Sequence, residues 1–181
     1  MKVFFIILFI FTLVYWRWKA SIFCSFFYYL QSAFAQNYSE STLNRAALEI
    51  INNSKLCVLS TISIDGKISS RLMDPHIPGS DFVVYLVTNP MSRKVSEISK
   101  NRNATLLFQN QNGYVSIEGE ISLVPEPNIK DDYWKKEWTP FYNDRNKALI
   151  LKVNPITIEV IDLDKNIEGN PTNWSTPKIK F

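Results

Sequence analysis

The chain has 181 residues, of which 46% are hydrophobic and 20% charged, and its formal net charge at pH 7 is +3. This composition favours one ordinary folded domain with an apolar core, and it excludes disorder as a description of the whole chain. Three of the 20 basic residues, Lys2, Arg17 and Lys19, precede residue 37, so the remaining 17 are balanced by 17 acidic residues. A neutral folded part argues against a nucleic-acid partner, and an anion that binds here should be small and held by a local cluster.

The first 36 residues are a hydrophobic segment that differs from the rest, and residues 37–181 are expected to form the folded domain. Residues 3–16 are apolar except for Thr12, and residues 20–35 are again apolar after a short basic break. The first run is 14 residues long, which as a helix reaches only about 21 Å of the roughly 30 Å hydrocarbon core of a bilayer. Three interpretations stay open: a membrane anchor, a cleaved export signal, or a reading frame drawn upstream of the true start. They imply a membrane-associated, an exported and a cytoplasmic protein, respectively.

Residues 37–42 form a polar connecting segment. After it, apolar residues recur at helical or strand spacing along the rest of the chain. Helices are expected over residues 43–53 and 92–100, and a third is expected to hold Tyr133, Trp134 and Trp138. Strands are expected over residues 56–62, 67–73, 82–88, 104–109, 114–124, 148–153 and 156–161. Asp65-Gly66 is a strong hairpin signal, and a loop marked by Pro75 and Pro78 follows the second strand. Six or seven short, mostly hairpin-linked strands predict a mainly β fold, an antiparallel β-barrel with flanking helices.

The two cysteines lie in unlike surroundings. Cys24 belongs to the apolar N-terminal segment, and Cys57 lies within an apparent buried strand. Neither a disulfide framework nor a zinc site is supported, since His76 is the only histidine. We expect Cys57 to be a small core residue, and we predict no metal site.

The most informative segment runs from the end of a predicted strand at Thr88 to the start of a helix at Ser92, Arg93 and Lys94. Free backbone N–H groups and the positive end of the helix dipole meet at such a junction. Ser92 is expected as the N-cap or as a phosphate donor, and the two cations suit a phosphate dianion. If the strand that contains Arg71 lies next to the strand of residues 82–88, the side chain of Arg71 should point toward the same phosphate. The alternative is that these residues only cap the helix and are solvated.

The order of several short motifs carries a resemblance to a known family. The motifs are Leu-Ser-Thr-Ile-x-x-Asp-Gly (59–66), Ser-Arg-Leu-Met (70–73), Tyr-Leu-Val-Thr-Asn-x-x-Ser-Arg-Lys (85–94), Leu-Leu-Phe (106–108) and Tyr-Val-Ser-Ile-x-Gly (114–119). Together they resemble the FMN-binding split barrels of the pyridoxamine 5'-phosphate oxidase-like family, and within it the general stress protein branch. The match extends from about residue 43 to residue 162.

The resemblance implies FMN bound at the interface of a homodimer. Its phosphate would be held at the positions of Arg71, Ser92, Arg93 and Lys94. The isoalloxazine ring would lie along Leu72, Met73, Val87 and Thr88. Residues near Gln109 and Tyr114 would approach from the other subunit.

The resemblance also limits the expected reaction. Pyridoxamine-phosphate oxidases proper carry a C-terminal Arg-x-His segment, and this chain has no such pair near its end, so vitamin B6 oxidation is not expected. Our first hypothesis is an FMN-dependent oxidoreductase acting on a small-molecule redox substrate by hydride transfer at the flavin. A non-catalytic flavin-binding module and a membrane-tethered scaffold without cofactor are the alternatives. Aromatic residues 134–142 either cap the flavin pocket or pack a helix onto the barrel.

Overall fold

The computed structural model describes residues 38–124, 127–142 and 144–181, and an antiparallel sheet of eight strands organises this part of the chain. The strands are β1 (Cys57–Ile62), β2 (Ile68–Met73), β3 (Pro75–His76), β4 (Val84–Thr88), β5 (Asn103–Gln109), β6 (Gly113–Val124), β7 (Leu149–Asp162) and β8 (Lys178–Lys180). The helices are α1 (Glu40–Asn53), α2 (Arg93–Lys100) and α3 (Pro127–Tyr133), with 3₁₀ turns at Lys136–Phe141, Arg145–Lys147 and Leu163–Lys165.

The sheet curls until its two ends meet. The strand order is β2-β1-β5-β6-β7-β4-β3, with β8 paired to β7. The end strands β2 and β3 are separated in sequence by Asp74 alone, so the chain itself holds the two ends together. The result is a split half-barrel with flanking helices, which confirms the predicted fold class. Helix α2 follows β4 and packs against β1 and β6. Two of its side chains reach the seam between β4 and β2, where Lys94 contacts Thr88 and Glu97 contacts Arg71.

Alternating side chains fill the inside of the half-barrel. Strand β1 alternates between buried and half-buried positions along its whole length, and β5 and most of β6 show the same period of two. Helix α1 adds a buried stripe at helical spacing, and burying each large aliphatic side chain contributes about 1.5–3 kcal/mol. The fully buried large side chains include Ile50, Ile51, Leu59, Phe82, Phe108, Ile117 and Ile158.

Cys57 is part of this core, as predicted, and only 1% of it is exposed. Burial raises the pKa of the Cys57 thiol to about 12, and the negative charge of Asp74 adds to the effect. The thiol is therefore protonated at physiological pH.

The two strands predicted over residues 148–153 and 156–161 form one continuous strand, β7, so the predicted break between them was wrong. Pro155, which lacks a backbone N–H, lies within this strand. In the structure Pro155 lies opposite Gly119, where a bulge shifts the register of β6 against β7. A bulge tolerates the missing donor. It also brings the backbones close: a Cβ on Gly119 would lie 2.1 Å from the carbonyl oxygen of Asn154.

Other differences involve short elements. The single helix expected to hold Tyr133, Trp134 and Trp138 is wrong: α3 ends at Tyr133, and Trp138 lies in a separate 3₁₀ turn that contains Pro140. Strands β3 and β8 were missed because two and three residues are too few to show a period.

The side chains of Ile68 and Leu72 face outward from β2, with 79% and 67% of their surface exposed.

The hydrophobic segment of residues 1–36 lies outside the described residues. Among the helices that the structure does describe, none is both long enough and apolar enough to span a bilayer.

A candidate phosphate and ring site at the barrel seam

Two arginines from different elements converge at the barrel seam, where strand β2 meets helix α2. Arg71 Nη2 donates to Glu97 Oε2 at 2.6 Å and to Ser69 Oγ at 3.0 Å. Arg93 Nη2 donates to the same Ser69 hydroxyl at 2.6 Å, and its Nε lies 2.9 Å from Glu97 Oε1. The guanidinium groups of Arg71 and Arg93 therefore share two partners.

The periodicities of β2 and α2 explain this convergence. Ser69 and Arg71 are two residues apart on β2, so their side chains point to the same face. Arg93 and Glu97 are one helical turn apart on α2, at the spacing of an i,i+4 ion pair. Thr61 lies opposite Ser69 in the β1–β2 register, and its hydroxyl donates to Glu97 Oε2 at 2.6 Å.

Glu97 is the residue that the sequence analysis missed. Its side chain is fully buried beneath Arg71 and Arg93, which are 18% and 75% exposed. Burial by itself would raise the pKa of Glu97, but hydrogen bonds from Thr61 and Arg71 and the charges of both arginines outweigh it and lower the pKa. Glu97 is thus an ionised carboxylate that orients the two guanidinium groups.

Lys94 lies on the other side of the same helix start. Its Nζ donates to Ser92 Oγ at 2.8 Å and to Thr88 Oγ1 at 3.1 Å. Ser92 occupies the N-cap position as predicted, but its side chain makes no capping hydrogen bond and instead accepts from Lys94. Burial and the positive charge of Arg71 lower the pKa of Lys94, with Glu97 opposing them. A bound anion would relieve this unfavourable electrostatic environment.

The charges of the cluster suit a phosphate dianion. Arg71, Arg93 and Lys94 bring three positive charges and Glu97 brings one negative charge, which leaves +2. Hydroxyl groups of Ser69, Ser92 and Thr88 surround them as further hydrogen-bond partners.

An apolar cavity of about 310 Å³ opens on the same strands. Three residues predicted to lie along a flavin ring, Leu72, Met73 and Val87, are among the residues that line it. Val87 is buried and Leu72 largely exposed, while the fourth such residue, Thr88, is buried and contacts Lys94. The remaining lining residues are Asp74, Trp138, Phe141 and Tyr142.

Gln109 and Tyr114 lie elsewhere in the protomer. They face each other across the β5–β6 hairpin. Ala104, which pairs with Thr61 beside the cationic cluster, is five residues before Gln109 on β5, which corresponds to about 17 Å along the strand. Within one chain, the structure does not bring these two residues to the cluster.

The family model described as pyridoxamine 5'-phosphate oxidase like matches residues 44–166 of this chain. The chain belongs to this family. The match includes β1 to β7, α2 and the residues of the cationic cluster.

Several solved structures are similar to this protein. General stress protein 26 from Bacillus anthracis is 24% identical, with a TM-score of 0.62, and the alignment covers 77% of this chain and 98% of that one. A Clostridium acetobutylicum protein related to general stress protein 26 is 16% identical, with a TM-score of 0.66 and coverage of 79% and 97%. A heme-binding protein from Mycobacterium smegmatis is 9% identical, with a TM-score of 0.57 and coverage of 80% and 59%. No curated protein matches the chain.

Proposed function

We propose that this protein is an FMN-binding oxidoreductase that acts as a homodimer on a small-molecule redox substrate. The observation that carries the proposal is the convergence of Arg71 and Arg93 on Ser69 and Glu97, with Lys94 beside them, next to an apolar cavity. A doubly positive cluster adjoining an apolar cavity matches a molecule that has a terminal phosphate and a flat conjugated ring.

The residues present fit FMN in charge and in polarity. Arg71, Ser92, Arg93 and Lys94 would hold its phosphate, and Leu72, Met73, Val87 and Thr88 would line its ring. When bound, the flavin would supply hydride transfer, and the protein would supply binding and orientation. The heme-binding relative has a similar fold, so the fold alone does not choose a cofactor. The net charge of +2 in the cationic cluster, which suits a phosphate dianion, is what favours FMN.

The outer face of the sheet supports a homodimer. Ile68, Leu72 and Ile156 are at least half exposed on or beside this face, and a groove of about 380 Å³ lies between Ile62, Ile68 and Ile156. Exposed apolar surface of this kind marks interaction sites. A second copy that covers the face would supply Gln109 and Tyr114, which lie far from the cluster of their own chain.

A non-catalytic flavin-binding role is the second candidate. Among the described residues that line the cavity, the titratable ones are Asp74, which is ion-paired with Lys135, and the phenol of Tyr142. Neither stands out as a general acid or base. We also infer from composition that residues 1–36 attach the domain to a membrane.

The visible absorption spectrum of the purified full-length chain tests the proposal. We expect a flavin spectrum that NAD(P)H bleaches and that an added electron acceptor restores. A bound flavin that no donor reduces would support the non-catalytic role. A colourless protein that does not take up added FMN would refute both and favour a scaffold.

A further inference from the structure

Residues 134–142, called here the aromatic segment, contribute Trp138, Phe141 and Tyr142 to the lining of the cavity that Leu72, Met73 and Val87 also line. Trp134 makes edge-on contacts with the rings of Trp138 and Tyr142, both at a centroid distance of 5.8 Å. The Trp134 Nε1 also donates to Thr139 Oγ1 at 3.2 Å. Aromatic contacts of this geometry stabilise a fixed arrangement of the rings.

Asp74 connects the aromatic segment to the barrel through a hydrogen bond and an ion pair. Its Oδ2 accepts from Trp138 Nε1 at 2.9 Å, and its Oδ1 pairs with Lys135 Nζ. Lys135 donates in addition to the carbonyl oxygen of Pro75 at 3.1 Å. Because Asp74 directly follows β2, these contacts set the distance between the aromatic segment and the strands that would carry the flavin ring.

Phe141 and Tyr142 are the members of the aromatic segment that are open to a ligand. Phe141 lines the cavity although 82% of its surface is exposed, whereas Trp138 is buried at 3%. No residue in the described part of the chain accepts or donates a hydrogen bond at the Tyr142 hydroxyl. Burial raises the pKa of Tyr142, so the phenol keeps its proton at neutral pH and can donate it in a hydrogen bond.

The cavity carries no net charge to attract an ionic substrate. Asp74 is the only charged residue among the described lining residues, and Lys135 neutralises it. The cationic cluster would already be occupied by the cofactor phosphate. A phosphorylated or carboxylated substrate would therefore find no cation at this end of the site.

We propose that Phe141 and Tyr142 form a substrate subsite for planar, uncharged, conjugated molecules with a hydrogen-bond acceptor, the class to which quinones belong. The subsite rests on the proposed function, because the flavin ring against Leu72, Met73 and Val87 would form its opposite side. Phe141 would stack on the substrate, and the Tyr142 hydroxyl would donate to its carbonyl oxygen.

Isothermal titration calorimetry of the FMN-loaded full chain tests this inference, with 1,4-naphthoquinone as the probe and its 2-sulfonate as the anionic control. We expect the neutral quinone to bind and the sulfonate to bind at least about tenfold more weakly. Phe141→Ala should weaken quinone binding about tenfold, and Tyr142→Phe about three- to tenfold. Leu163→Ala removes an apolar side chain that is 54% exposed and does not line the cavity, and it should leave binding unchanged.

The flavin spectrum of each protein separates the possible failures. A wild-type chain without FMN would overturn the proposed function and this subsite with it. Loss of FMN from Phe141→Ala, with the wild type loaded, would show that the aromatic segment belongs to the cofactor pocket and would overturn the subsite alone. Equal affinity for the quinone and its sulfonate, or variants that bind like the wild type, would also overturn it.

Discussion

The carboxylate of Glu97 lies 2.6 Å from the guanidinium of Arg71, and this contact joins helix α2 to strand β2 across the barrel seam. The Glu97 side chain is fully buried and that of Arg71 is 18% exposed, so water screens the pair little. Thr61 donates to the same carboxylate oxygen, and Arg93 lies against the other one. One buried carboxylate thus accepts hydrogen bonds from Thr61 and Arg71 and forms an ion pair with Arg93.

Replacing Glu97 with Gln should lower the free energy of unfolding by about 3 kcal/mol, because a buried ion pair that loses one partner leaves the other charge uncompensated. Chemical denaturation of both proteins measures the difference. The matched control is Glu49→Gln, since Glu49 is 55% exposed and pairs with Lys165 at 3.1 Å. A surface pair of this kind contributes less than about 1 kcal/mol. Equal losses in the two variants would contradict the role given to Glu97.

The stability of the protein should depend on pH through Glu97. Its folded-state pKa is lowered from an ordinary value of 4.5, mainly because its hydrogen bonds and ion pairs outweigh the opposing effect of burial. The stabilisation is complete above 4.5 and is lost as the pH falls through the lowered folded-state value. Unfolding measured from neutral to acidic pH should show this loss in the wild type and a shallower one in Glu97→Gln. An equal loss of stability with falling pH in the two proteins would contradict this role of Glu97.

The double change Arg93→Ala plus Lys94→Ala should abolish flavin retention without unfolding the barrel. Each charged contact to a phosphate contributes about 1.5–3 kcal/mol, so losing both should weaken FMN binding at least about a hundredfold. FMN titration monitored by flavin fluorescence measures the effect. Lys100→Ala plus Arg102→Ala removes the same charge from exposed positions nearby and should bind FMN normally. Unchanged FMN affinity in the first variant would refute the phosphate site.

Replacing Gly119 with Ala should destabilise the sheet by about 1–3 kcal/mol, the usual cost of overpacking. The new Cβ would meet the Asn154 carbonyl oxygen at 2.1 Å, and only separation of β6 from β7 relieves this. Thermal unfolding measures the loss. Gly79→Ala is the control, because its Cβ would lie 3.7 Å from the nearest atom, at Asp81. Equal melting temperatures for the two variants would mean that the bulge accommodates a side chain.

Asp74→Asn should loosen the aromatic segment more than it lowers global stability. Asparagine cannot pair with Lys135, and since the Asp74 side chain is 32% exposed the stability cost should stay near about 1 kcal/mol. Limited proteolysis should cut between residues 130 and 145 faster than in the wild type. Asp131→Asn, which breaks the exposed pair with Arg145, serves as the comparison. Faster cleavage in that variant alone would show that Asp74 does not hold the segment.

Most strand and helix positions in this protein could be predicted from the sequence because the longer elements have a clear period. Helix α1 and strands β1, β2, β5 and β6 begin and end within a few residues of the predicted bounds. The continuous pairing of the strand through Pro155 could not be predicted, because it depends on a bulge in the register of β7 against β6. The local sequence pattern cannot show which residues of two strands lie opposite each other.

Only part of the candidate site could be predicted from the sequence. Residues 88–94 and Arg71 could be identified as candidate phosphate ligands from their residue types. That they bind phosphate stays a prediction. Glu97 was missed because an Arg-to-Glu spacing of four on a short helix is typical of a solvated surface. Its burial follows from the approach of β2, which no local pattern encodes.

The inert thiol of Cys57 has a practical consequence. With a pKa of about 12, it forms almost no thiolate at neutral pH and should resist maleimides and mild oxidants until the barrel unfolds. The other cysteine, Cys24, belongs to the N-terminal segment. A thiol label that attaches to the native chain therefore reports on Cys24 alone, so impermeant and permeant reagents can test the proposal that this segment attaches the domain to a membrane.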